Sequence, residues 1–389
     1  MKPVFISYSR KDVNTVREIA NTLTMGGIRA WQDLDELSAG PTDYVITNAI
    51  REECSGLLCY ITPNSLESAY VCKLELNEAH EKHLSDPGFP IIPMYGMEME
   101  EANRRLTGTL HSMGSFSGVN VGDHPNLAAA AQKAKQMLLS HLLKPLKGRV
   151  ADIALSTWQP TLRSLDLHLD LDWSGLYSQG HGELFRRETW SEKIEPALVD
   201  LKHALRRAGC SRLRVHPNAH LTAGFAFGSI FRKEADVEVE VMQKGDCWAS
   251  DAVEAEDTGL RFPAPDPGPI NSNKLALVAS ITQNAKKGFN SFASSTGIQF
   301  RSVIHCAPPV DQWSLRIRDG SHALAIAKQI RQAVVNERSR TGCTELHVFA
   351  AIPFGLAFLI GRELNACGAV QLYEHDKGED VYAPSWMLK

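Results

Sequence analysis

The chain has 389 residues, 43% of them apolar and 22% charged, with a formal net charge of −4. Charge is evenly spread, 15 Lys/Arg against 17 Asp/Glu in residues 1–150 and 26 against 28 in the rest, which excludes a basic surface built for long nucleic acid. The length permits two or three domains with ample core, and the most apolar run, 347–361, is interrupted by Pro353 and falls short of the roughly 20 residues a spanning helix needs. Eight cysteines scattered through regular patterns, with no leader ahead of the strand Val4-Phe5-Ile6, read as packed free thiols in a cytoplasmic protein without a membrane anchor.

Val4–Tyr8 is a short apolar run of the kind that forms a buried parallel strand, and Ser9-Arg10-Lys11-Asp12 is a polar turn into a helix with Val16, Ile19 and Leu23 on one face. Gly26-Gly27 ends that helix. Ile28–Trp31 is the next strand, 33–41 a polar loop, Tyr44–Glu52 a helix, Gly56–Ile61 a strand, Tyr70–His83 a helix and Phe89–Tyr95 a strand. Strand and helix alternate, so the first part reads as a doubly wound parallel sheet whose working edge is the carboxyl ends of its strands. Asn126–Leu143 is an amphipathic helix closing this domain, and Pro145–Gly148 is too short to be a flexible tether.

Three motifs in order, Val4-Phe5-Ile6-Ser7-Tyr8-Ser9, then Gly27-Ile28-x-x-Trp31-x-Asp33 with Leu37-Ser38-Ala39-Gly40, then Ser68-x-x-Val71-Cys72-x-x-Glu75-Leu76-x-x-Ala79, resemble a TIR domain over residues 1–145. The resemblance implies cleavage of NAD+ between nicotinamide and ribose, with Glu75 as the catalytic carboxylate. Spacing alone reads Glu75 as a surface helix residue beside Glu78 and Glu81. Relatives place Trp four residues before the glutamate, where this chain has Val71 with Tyr70 one position earlier, so Glu78 stands as the alternative register. The fold implied puts Tyr8, Ser9, Arg10, Trp31 and Asp33 at the substrate, Trp31 reading equally as core. The 33–41 loop, with Leu37, Gly40 and Pro41, resembles the loop through which TIR domains touch one another.

Beyond the linker expected at 146–154, the chain repeats itself. Leu213-Arg214-Val215…Phe225…Gly228 matches Leu346-His347-Val348…Phe358…Gly361 without a gap at an offset of 133 residues, and Gly209-Cys210 falls on Gly342-Cys343. Each copy reads helix, strand, turn, glycine-containing helix, strand. The alternating stretch Leu165–Asp172 is expected to be the first copy's counterpart of the strand Leu275–Ala279. Gly228 and Gly361, each costing roughly 1 kcal/mol in a helix, point to close helix–strand packing.

His347-Val348-Phe349-Ala350-Ala351-x-Pro353-x-x-Leu356-Ala357-x-x-x-Gly361, with Val370–Glu374 and Tyr382-x-Pro384 after it, resembles the carboxyl end of a SAVED domain, here 155–389 with halves near 155–265 and 266–389. That family fuses two Rossmann-like units related to CARF sensors, and the resemblance implies a cyclic-oligonucleotide site. The candidate contacts are Ser280, Thr282 and Gln283, then Phe349, Ala350, Ala351 and Pro353, their counterparts His216, Pro217 and Asn218, and the cations Lys202 and Arg206. Pro217 rules out a helical His216/His220 metal pair, so no metal and no cofactor are expected. The fold class expected is α/β, a flavodoxin-like TIR sheet followed by two CARF/Rossmann-like units. Together these imply a CBASS-type anti-phage effector: an NAD+ hydrolase that oligomerises, even into filaments, when it binds a ring such as cyclic triadenylate. The alternative is a TIR domain that recruits a partner without catalysis.

Overall fold

The computed structural model describes residues 2–32, 42–68, 70–106, 115–158, 167–176, 189–232, 237–309, 314–364, 367–376 and 381–388. Two compact units divide the chain: Met1–Ile153 with Ser164–Leu171 and His203–Cys210, and Ala154–Arg163 with Asp172–Lys202 and Ser211–Lys389.

In the first, β1 (Val4–Ser7), α1 (Val13–Met25), β2 (Ala30–Trp31), α2 (Thr42–Asn48), β3 (Gly56–Ile61), α3 (Pro63–Leu66), α4 (Leu76–Ser85), β4 (Ile91–Tyr95), α5 (Met99–Arg105), β5 (Val119–Asn120) and α6 (Leu127–Leu142) follow the expected alternation. Strands β1, β3 and β4 are buried along their whole length, as continuous apolar runs require between two helical layers. The sheet is parallel throughout, in the order β2-β1-β3-β4-β5. The chain steps from β1 outward to β2, then back across to β3, so the strand order reverses between β1 and β3 and a crevice opens beyond their carboxyl ends.

The second half supplies β6 (Val150–Ser156), β7 (Leu169–Asp172), α7 (Glu195–Ala208), β8 (Arg212–Asn218), α8 (Leu221–Ile230), β9 (Glu238–Gln243) and β10 (Asp246–Ala249). Its second copy supplies β11 (Asp266–Pro267), β12 (Lys274–Ser280), α9 (Ala285–Thr296), β13 (Ser302–Cys306), α10 (Gly320–Thr341), β14 (Glu345–Ala351), α11 (Phe354–Glu363), β15 (Ala369–Asp376) and β16 (Val381–Leu388). The sheets run β10-β9-β8-β6-β7 and β11-β13-β12-β14-β15-β16. Strands β8 and β14, like helices α8 and α11, have matching bounds 133 residues apart. Gly209 and Gly342, which stop α7 and α10, share a φ of +72°, open to glycine at no steric cost.

The counterpart of β12 is not Leu165–Asp172. It is β6, whose bounds match those of β12 at an offset of 124 and which lies beside β8 as β12 lies beside β14. Asn218 O accepts the amides of Thr157 and Trp158 (3.1 and 3.3 Å), as its mate Ala351 O accepts those of Ile281 and Thr282 (3.0 and 2.9 Å). The end of the alternating stretch, Leu169–Asp172, forms β7 at the sheet edge, where one face is less buried than the other and alternation is the proper pattern.

Gly228 and Gly361 pack helix on helix rather than helix on strand. A methyl on Gly228 would collide with Phe358 O and come within 2.8 Å of Arg362 N; one on Gly361 would collide with Phe225 O and come within 2.8 Å of Phe225 Cα. Phe358 and Phe225 are themselves repeat mates, so the contact is reciprocal, as a two-fold axis demands. That axis passes between Gly224 and Ala357, also mates, where the Cβ separation would be 3.3 Å. Contacts advance together along both helices, Gly224 with Ala357 and then Gly228 with Gly361. The helices therefore run in the same direction, and the amino ends of α8 and α11, with the carboxyl edges of both sheets, face one way.

Candidate functional site

In the first unit, the crevice between β1 and β3 is tied shut at its base. Asp12 Oδ2 accepts the Thr62 hydroxyl at 2.6 Å and its Oδ1 accepts Asn64 Nδ2 at 2.8 Å, while Thr62 and Ser65 form a capping box that starts α3. Tyr8 and Ser9 are buried there and Arg10 is exposed. Burial, with the Asp12 charge second, pushes the Tyr60 phenol above its ordinary range. Trp31 is core: 5% exposed, it stacks on Phe5 with centroids 4.6 Å apart. Asp33, Leu37, Gly40 and Pro41 lie outside the described residues.

Glu75 ends a π-helical turn, Tyr70–Glu75, and begins α4. Because α4 returns from the carboxyl end of β3, its start lies on the same edge as the crevice. Glu75 is only 5% exposed, a rare state for a carboxylate. Extra residues inserted as a π turn re-aim side chains and recur at functional positions. Glu78, one turn on, is engaged by Arg51.

In the second unit both copies reverse strand order, between β6 and β8 and between β12 and β14. The turns predicted there do come together: Ile281 and Thr282 donate to Ala351, and Thr282 and Gln283 are exposed. Ser280 Oγ accepts Ala285 N at 3.0 Å and Asn284 caps α9. His216, Pro217 and Asn218 end β8, half-buried. Ala350 is buried, and Ala351 and Pro353 lead into α11.

The family model for SAVED, described as a SMODS-associated sensor domain fused to various effectors, matches residues 191–388, half of the chain. The chain belongs to the SAVED family. A TIR model matches residues 4–120, so the SAVED domain here carries a TIR domain ahead of it. CD-NTase-associated protein 4 of Enterobacter hormaechei subsp. hoffmannii is 25% identical over 207 residues, 51% of this chain and 40% of that protein, so the match spans about two fifths of the length of this relative. The Acinetobacter baumannii Cap4 SAVED/CARF-domain receptor, solved with the cyclic trinucleotides 3'3'3'-cAAA and 2'3'3'-cAAA, is 14% identical with a TM-score of 0.51, covering 90% of this chain and 86% of that one, which shows a shared fold. No helix among the described residues is long and apolar enough to cross a membrane.

Three residues predicted for the SAVED site fall elsewhere. Phe349 is fully buried among Phe289, Phe292, Phe300, Tyr373 and Tyr382, because β14 is covered on both faces. Lys202 Nζ donates to the carbonyl of Ile230 at 3.4 Å, the last residue of α8 and so the end away from the paired amino termini. Arg206 is in the last turn of α7, beside the entry to β8, at the opposite end of that strand from His216.

The structure adds what the sequence did not show: the copies cap one another. Thr222 N donates to Glu374 Oε2 at 3.2 Å and its mate Gly355 N donates to Gln243 Oε1 at 2.9 Å, so each central helix is capped from the opposite copy's sheet. Trp248, from the β9–β10 hairpin, lies against Gly355 and Gly320 at the starts of α11 and α10. Burial pushes the Glu374 carboxyl up to about 7, against the opposing pull of the Thr222 and Leu221 bonds. A carboxyl raised in the folded state stabilises the fold when protonated. Its contribution is complete below pH 4.5, falls as pH rises toward 7, and is lost above. Glu374→Gln, which imitates Gln243, is expected to gain about 3 kcal/mol over wild type at pH 8 and little at pH 4.5. Unfolding midpoints of both proteins between those limits check this, and a constant difference across the range sinks it.

Proposed function

We propose that the chain is an NAD+ glycohydrolase switched on by a cyclic oligonucleotide, working in the cytoplasm as a CBASS-type anti-phage effector. The observation that carries the reading is Glu75, a carboxylate nearly sealed from water at the carboxyl edge of a TIR sheet, in one chain with a paired Rossmann-like sensor. When nicotinamide departs, the ribose develops oxocarbenium character, and a carboxylate held beside it stabilises that charge. Nicotinamide leaves as a neutral ring from a cationic one, so no acid has to protonate it.

The sensing half supports a compact ring rather than a polymer. Two parallel helix starts face one way beside the strand-reversal turns, and Lys286 and Lys287 sit in the first turn of α9, which favours a ligand with a few phosphates. Cyclic triadenylate is the ring proposed, as the kind of ligand held by the Acinetobacter receptor of the same fold. Binding drives protomers together head to tail, and neighbouring TIR domains complete each other's NAD+ site through the 33–41 loop; contacts that do not close give filaments.

Nicotinamide release from NAD+ by the full chain, measured with and without cyclic triadenylate while light scattering follows particle size, tests this. Release only with the ring, rising together with size, is expected. Equal release without it overturns the switch, full activation at constant size overturns assembly, and binding with growth but no release makes the TIR domain a recruiting module.

A further inference from the structure

Among the described residues of the second unit, Trp158 is the one exposed large aromatic side chain, with 53% of its surface open. It follows directly on β6, at the reversal between β6 and β8. One face rests on the His220 ring, centroids 3.7 Å apart and planes 24° from parallel. His220 is itself fixed: its backbone N–H donates to Thr157 Oγ1 at 2.8 Å, its Nδ1 lies 2.8 Å from the same oxygen, and it is 6% exposed at the start of α8. Beside this pair, Ser156 keeps a buried hydroxyl with no hydrogen-bond partner among the described residues. Its mate Ser280 caps Ala285 instead.

The indole is half-exposed, its stack on His220 holding one face and leaving the other open to solvent. It has already lost the rotamer freedom that stacking a ligand would cost. The copies differ here. Trp158 corresponds to Thr282 and His220 to Pro353, so the second copy offers a small hydroxyl side chain beside a proline where the first offers an aromatic plane. Two-fold matching is thereby broken at the spot where a ring-shaped ligand of several bases meets both turns.

We propose that Trp158, held by His220, is the stacking platform for one nucleobase of the cyclic oligonucleotide. This rests on the ligand class proposed above. The free π face takes the base and the first copy is its anchor, while Thr282 and Gln283 meet a different part of the ring through hydrogen bonds. Base–aromatic stacking is worth roughly 1–3 kcal/mol, so its loss weakens binding by about 5- to 150-fold.

Calorimetric titration of the full chain with 3'3'3'-cAAA reads this out for wild type, Trp158→Ala, Trp158→Leu and Trp158→Phe, with the thermal unfolding midpoint of each. Expected are Ala and Leu variants weakened within that range at an unchanged midpoint, with Phe recovering most of the affinity, because Leu keeps apolar bulk but no π face. Binding by Trp158→Ala as tight as wild type overturns the platform and leaves the ring-sensing reading intact. So does an equal loss in all three variants accompanied by a fall in midpoint, which marks a structural role. Should wild type bind none of 3'3'3'-cAAA, 2'3'3'-cAAA and cyclic tetra-adenylate, the ring-sensing reading fails and the platform with it.

Discussion

Glu75→Gln is expected to cut ring-stimulated nicotinamide release by roughly 10²–10³-fold or more, the scale on which removing one preorganised electrostatic group acts. The amide keeps the size and much of the hydrogen bonding of the carboxylate, so the fold and the binding of the ring at the SAVED domain are expected to survive. Only the charge that meets the developing oxocarbenium is lost. Glu78→Gln is the matched control. Glu78 already has a cationic partner in Arg51 and is the more open of the two, so its loss is expected to change release by less than about fivefold, a surface ion pair being worth at most about 1 kcal/mol. Reversal of the two results would move the catalytic register to Glu78. Full release by both variants would remove the carboxylate from the chemistry altogether.

That register was only half legible. The tyrosine–valine exchange ahead of Glu75 reads as a shift by one residue, and the structure gives it a physical form. The segment that looks like one helix from Tyr70 to His83 is a π turn, Tyr70–Glu75, running into an α-helix. Such a turn changes which residues share a face, so counting at 3.6 residues per turn back from Glu78 misplaces everything before it. The same happens after Asn48, where Ala49–Glu53 is π-helical. Trp31 was open between two readings for a different reason. An aromatic residue ending a strand has the same pattern whether its ring covers the sheet or the substrate, and here Phe5 takes one of its faces.

The duplicated half was read from the gapless match, and that match both revealed the repeat and hid part of it. Strand β8 and helix α8 keep the spacing of β14 and α11. The first strand does not, because the offset is 124 at β6 and 133 from β8 on. With β6 unpaired to β12, nothing marked Thr157, Trp158 or the orphaned Ser156 as turn residues. Phe349 was drawn into the site because the turn motif is continuous with the strand in sequence. In space β14 stays covered on both faces until Ala350, and the turn begins only where small residues replace the buried ones. Pairing across the copies, Glu374 with α8 and Gln243 with α11, joins residues more than 100 positions apart, and a single sequence carries no local signal for it.

Gly228→Ala and Gly361→Ala are expected to cost the SAVED domain about 3 kcal/mol each, the upper end for overpacking, because the obstacle is backbone and cannot rotate away. For a unit of this size that is roughly a 6–12 °C fall in unfolding midpoint. Gly175→Ala, with nothing within 4 Å of its added methyl, is the control and is expected to be neutral. The pair carries a sharper test than either alone. Both substitutions pry apart the same crossing, so once Gly228→Ala has separated the helices, Gly361→Ala finds room, and the double variant is expected to lose less than the two single losses combined. Additive losses would mean two independent sites and would contradict the reciprocal contact. The consequence for sensing follows from the same geometry. Prising α8 from α11 spreads the two strand-reversal turns that face one way, so the variants, measured well below their melting temperatures, are expected to lose the ring's effect on nicotinamide release even at saturating NAD+. A folded Gly228→Ala protein with a wild-type response would show that the two copies do not have to hold this crossing for the ring to act.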